Sequence, residues 1–143
     1  MTKEFAAAVK GWSEKAQRNM RLIVMEASEG VYNAMTERQP SVKETGGSFQ
    51  VGKVPVDQGY LIGSVQITVG GGTTGTGSPG QAPDYIGSIT GFQIGEPITA
   101  AFTADYARHV EYGTARMPGR FFVRNAVAQW PAFVAAAAAR YKD

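Results

Sequence analysis

The chain has no cysteine in its 143 residues, so neither a disulfide framework nor a thiolate metal site can be built from it. Such usage fits a reducing compartment such as a bacterial cytoplasm. Charged residues make up only 18%, with no long run of one sign, and there is a single histidine, His109. No apolar stretch approaches the roughly 20 residues that a membrane span needs. The opening Met-Thr-Lys-Glu-Phe also lacks the basic-then-hydrophobic order of a cleaved signal. A soluble chain with no membrane partner is the expectation.

Chemistry is sparse as well. His109 and Asp105 lie four residues apart and could share a helix face, but a metal site usually takes three or four ligands. No nucleophile elbow surrounds Ser64 or Ser88. The run 70–83 is rich in glycine but lacks the lysine followed by Ser or Thr that a phosphate cradle requires. The residues therefore point to no catalytic group, no metal and no cofactor.

What is present is a length suited to one domain, 43% apolar residues and a formal net charge of +2. The charge is unevenly spread: residues 1–43 carry +2, 44–105 carry −4 and 106–143 carry +4. Opposite patches can steer copies of a chain together, and two ordinary solvated ends would give the same count.

Apolar residues at Phe5, Val9, Trp12, Ala16, Met20, Ile23, Ala27, Val31 and Ala34 recur in steps of three and four. That spacing predicts one amphipathic helix over about 3–38, closed before Pro40, with Glu14 and Arg18 one turn apart. Gly11 and Gly30 are soft points in it. A helix of that length exceeds what a small domain covers, so part of its stripe is available to a neighbouring subunit.

Residues 41–53 read as a loop and 55–59 as a turn around Asp57. The alternation over 61–69 predicts a half-buried strand, and 85–94 and 98–103 two more, joined by a turn at Gly95, Glu96 and Pro97. Between the first two strands, 70–83 holds six glycines, two prolines and no charge, which predicts a long flexible loop. A last helix follows, with Phe122, Ala126, Trp130, Phe133, Ala137 and Tyr141 on one stripe and a kink or break at Pro131. The fold class expected is α+β: a long N-terminal helix and a kinked C-terminal helix packed on a small antiparallel β-meander.

The most particular stretch is 103–127. It reads as a short helix with Tyr106, Ala107 and Val110 on one face, stopped at Gly113, and then a constrained loop around Pro118 and Gly119. Arg116, Arg120 and Arg124 recur every four residues with Arg108 nearby, an arrangement suited to carboxylate or phosphate partners. Contact with DNA phosphates is one reading, and salt bridges to the acidic middle segment of another copy are the preferred one. Phe121, Phe122, Trp130 and Phe133 read most simply as core, though one of Phe121 and Phe122 must point away from the other and could serve as an interface anchor.

The order Tyr106, Ala107, then Val110, Glu111, Tyr112, Gly113, Thr114, then Met117, Pro118, then Phe121 to Ala126 resembles the signature of small neck proteins of long-tailed double-stranded-DNA bacteriophages. These are variously termed tail-component, head–tail joining or tail-completion proteins. Pro55, Val56, Asp57, Gly59, Leu61 and Ser64 are similar to a second, weaker block, with Gln58 where threonine is common; in the first block Asn125 stands where proline is frequent.

The resemblance covers most of the chain and implies a single structural domain over 1–143. Its copies would form a six-fold or twelve-fold ring between a head-side connector and the tail terminator or tail tube, with a channel through which DNA passes without sequence-specific binding. The implied location is the virion neck, reached from the host cytoplasm. Tyr106, Glu111, Tyr112, Gly113, Thr114, Arg116, Arg120, Phe121 and Arg124 are the assembly candidates. A tail terminator or head–tail connector of the same particle, or a nucleic-acid module using the C-terminal arginines, is the alternative.

Overall fold

The hydroxyl of Thr2 accepts the Phe5 amide at 3.1 Å, and from that cap the helix α1 runs Lys3–Met35. The structure, a computed structural model, describes residues 2–39, 51–55 and 59–141, apart from the Met117 side chain. At about 1.5 Å per residue the helix is about 50 Å long, whereas a chain of this size has a radius of gyration of about 14 Å. It ends at Thr36, whose amide and hydroxyl both reach the Tyr32 carbonyl, at 3.0 and 2.8 Å. The helix therefore closes slightly before the expected limit. Pro40, residues 41–50 of the expected loop and Asp57 lie outside the described residues.

Two short strands, β1 (Arg38–Gln39) and β2 (Val54–Pro55), pair in parallel and lead into a helical turn, α2 (Tyr60–Gly63). The main sheet comprises β3 (Val65–Val69), β4 (Gly72–Thr76) and β5 (Ile98–Phe102), antiparallel in the order β4-β3-β5. Between β4 and β5 lies the helix α3 (Tyr85–Ile89). After β5 come α4 (Ala107–Tyr112), the small hairpin β6 (Gly113–Thr114) and β7 (Met117–Pro118), and two final helices, α5 (Phe122–Ala128) and α6 (Trp130–Arg140). The class is α+β, as the alternation of periodicities implies.

Three local expectations are corrected. The strand expected over 61–69 starts only at Val65, because Leu61 and Ile62 are both buried and consecutive buried residues suit a helical turn. The loop expected over 70–83 carries β4. Two of its glycines are there for close approach: a β-carbon at Gly75 would collide with the Ser88 side chain of α3, and one at Gly77 with the Gly63 carbonyl. The strand expected over 85–94 is instead α3. Asp84 caps it by accepting the Gly87 amide at 3.3 Å, and Tyr85, Ile89 and Phe92 follow helical spacing into the core. The sheet is consequently not a meander: β3, with the strongest alternation, takes the centre and β4 and β5 flank it.

Two apolar clusters hold these elements. Tyr32, Val65, Ile67, Tyr85, Ile89 and Phe92 fill the space between α1, the sheet and α3, with the Tyr32 and Tyr85 rings stacked 4.6 Å apart. Val54, Leu61, Ile62, Ala107 and Phe122 form the second, where Phe102 meets Phe122 edge-on at 5.0 Å. The C-terminal stripe breaks at Gln129, with Pro131 in the first turn of α6, where a missing amide costs least. Behind the break Phe133 lies over Gly30 and Ala137 is buried, so the alanine-rich helix packs closely along α1.

Candidate functional site

The 103–127 stretch folds as a mutual cap. Gly113 ends α4 with φ 85°, a conformation in which a β-carbon is strained, and the chain turns through the β6–β7 hairpin. It returns so close that a β-carbon at Gly119 would lie 2.7 Å from the Glu111 carbonyl. The Arg120 and Phe121 amides then donate to the Val110 and Glu111 carbonyls, at 2.9 and 3.0 Å, closing the C-terminal end of α4.

In exchange, the Glu111 carboxylate accepts the Val123 amide at 3.0 Å and the Arg124 amide at 3.2 Å, capping the start of α5. Burial pushes this carboxyl above its ordinary range, and the two amides and the Arg124 charge draw it partly back. Phe121, at the N-cap position, has φ 52° and no side-chain oxygen to offer, so the cap comes from Glu111, twelve residues before the Val123 amide it serves.

This geometry separates the sequence candidates. Glu111 is buried and committed within the chain, whereas Gly113 shapes the turn and is half-buried. Arg120 is drawn inward, donating to Gln39 Oε1 at 2.6 Å, and burial lowers its guanidinium pKa. Arg116 sits in the β6–β7 turn and Arg124 on α5, its guanidinium 5.4 Å from the Phe121 ring centre. The spacing of four therefore does not make one helical face, because only Arg124 is in the helix. Tyr106, Tyr112, Thr114, Arg116 and Arg124 are exposed, and Phe121 is half-buried while Phe122 is core.

His109 and Arg108 line a shallow hollow with Tyr112 and Gly113. Among the described residues no cluster of three or more His, Cys, Asp or Glu side chains could hold a metal. Also among them, no helix is long and apolar enough to cross a membrane.

The largest unsatisfied surface lies elsewhere. The α1 stripe is buried only in its second half: Ala27 is 0% exposed, whereas Phe5 is 58% and Trp12 73% exposed, with Val9 and Met20 also open. The helix meets the body at Arg21, whose guanidinium donates to the carbonyls of Phe92 and Thr90 at 2.6 and 2.7 Å. Residues 2–12 are all exposed.

Beside β5 an apolar groove of about 380 Å³ opens between the second half of α1 and α5, lined among others by Val31, Ile98, Val127 and Trp130. The stripe was legible in the sequence and the groove was not, since its walls come from segments nearly a hundred residues apart. Glu111 burial was not legible either, since the spacing puts Tyr106, Ala107 and Val110 on the face of this helix; in the structure Glu111 lies one turn after the buried Ala107, on the same face of α4.

Comparison of the chain with family models, curated proteins and solved structures returned no match.

Proposed function

We propose that the chain is a structural assembly protein, and specifically a neck component of a long-tailed bacteriophage particle, ringed between the head-side connector and the tail. The observation that carries the reading is the bare apolar stripe on the first half of α1. Each large apolar side chain moved out of water gains about 1.5–3 kcal/mol. Phe5, Val9, Trp12 and Met20, each about half to three-quarters exposed, together offer a gain of the same order as the lower part of an association cost of roughly 4–15 kcal/mol. A chain that leaves such a face open is built to meet another surface. The signature over 106–126 adds the particle: it resembles phage neck proteins, and its role in this fold is to lock two short helices together rather than to react.

The virion location is tested by imaging purified particles carrying this protein with a label. Density at the head–tail junction supports the reading, together with filled heads and separate tails when the gene is disrupted. Label elsewhere on the particle, or joined virions without the protein, overturns it.

A further inference from the structure

The first half of α1 and the groove beside β5 are two open apolar surfaces on one molecule, yet they cannot meet within it. The groove is walled by Val24, Val31 and Met35 of the same continuous helix, so Phe5 and Trp12 cannot turn back to reach it. For the first half of α1 to fill a groove of this kind, it must therefore enter that of another copy. Phe5, Val9, Trp12 and Ala16 recur at the spacing of helix-in-groove anchors.

The charges select the partner. Residues 2–21 carry five Lys or Arg against Glu4 and Glu14, while 84–105, which supply one side of the groove, carry Asp84, Glu96 and Asp105 and no base. Glu96 itself lines the groove, and Lys15 follows Trp12 by three residues along the helix. Two such basic helices repel one another, whereas the basic helix is attracted to Glu96, the charged side chain on the groove wall.

We propose that the N-terminal half of α1 of one copy seats in the groove beside β5 of the next, joining copies head to tail. Such a heterologous contact closes into a ring when its rotation permits. This rests on the assembly reading above and names its contact: Trp12 enters among Val127, Trp130 and Ile98, with Lys15 toward Glu96.

The absence of native cysteine makes a clean test possible. Ala8→Cys, one turn before Trp12, and Ala128→Cys, beside Val127, are exposed positions that keep the contact residues; the two chains are prepared separately and treated with a short bis-maleimide, alone and mixed. Cross-linked dimer in the mixture but not in either chain alone, and a ladder of higher species from the double variant, is the expected result. Sedimentation of Trp12→Asp at matched concentration should show loss of the assembled species, with an unchanged circular dichroism spectrum because the residue lies in the solvent-exposed half. Glu96→Lys should weaken assembly at least tenfold, and Lys15→Glu in the same chain should recover it.

Dimer from Ala8→Cys alone would mean helix-on-helix pairing and would overturn the proposal, as would a chain that stays monomeric and uncross-linked at millimolar concentration. Cross-linking in a protein that is absent from the head–tail junction would keep this contact and reject the neck. Junction density without the mixed cross-link would do the reverse.

Discussion

Glu111 caps the helix in which Val123 stands, its carboxylate oxygens lying 3.2 and 3.0 Å from the Val123 amide. The amide is one of those that a helix start leaves without an internal partner, and Phe121 has no oxygen with which to serve it. Replacing Glu111 with alanine strands buried donors, and a stability loss of about 1–3 kcal/mol is expected from urea unfolding at neutral pH. Glutamine, which keeps an acceptor, should lose less.

The same carboxyl gives stability a pH dependence of defined sign. Its folded pKa lies above the unfolded value of 4.5, so between the two the native chain binds more protons than the unfolded one. Its contribution is complete below 4.5 and declines as pH rises through the folded value. The stability difference between the wild type and Glu111→Gln, followed by urea midpoints, should therefore shift against the wild type as pH climbs from 4.5 toward neutral. A difference that grows in favour of the wild type over that range would contradict the burial argument.

Tyr32 should titrate late. Its hydroxyl donates to the Pro83 carbonyl at 2.6 Å, and burial, aided by the nearby Asp84 charge, pushes its pKa from 10.0 up to about 12. The folded chain keeps this proton where the unfolded chain loses it, so stability falls as pH rises between those two values. Ultraviolet titration of tyrosinate should show a late-ionising group that is missing in Tyr32→Phe.

Two glycines in one helix should respond in opposite directions. At Gly11 an added β-carbon meets nothing within 4 Å, so Gly11→Ala should raise stability or helicity by up to about 1 kcal/mol. At Gly30 it would lie 2.7 Å from the Phe133 ring, which α6 presses against α1, and Gly30→Ala should destabilise despite the better helix former. Paired urea melts and circular dichroism decide it, and equal effects at both sites would mean that α6 does not pack there.

The adjacent phenylalanines should differ as sharply. Phe122 is fully buried against Phe102, so Phe122→Ala should cost about 3–5 kcal/mol. Phe121 is half-buried beneath Arg124, and alanine there should cost about 1 kcal/mol or less, measured the same way.

The helical periodicity of Phe5 to Ala34, the stop at Gly113, the break near Pro131 and the alternation of Val65, Ile67 and Val69 were all set by neighbours a few positions away. They were legible in the sequence for that reason. So was the shortage of chemistry, since composition alone limits thiol and imidazole groups.

What the linear pattern could not show depended on partners far along the chain. Glycines at 72 and 75 become a strand because β3 supplies backbone bonds, and α3 needs the room beside Gly75. Tyr85 and Ile89 turn inward as a helix because Tyr32 offers a ring to stack on. Only the tertiary structure sent Glu111 and Arg120 inward, because the hairpin brings an uncapped helix and Gln39 within reach. It also left Trp12 outside, because a helix of about 50 Å outruns the domain that could cover it.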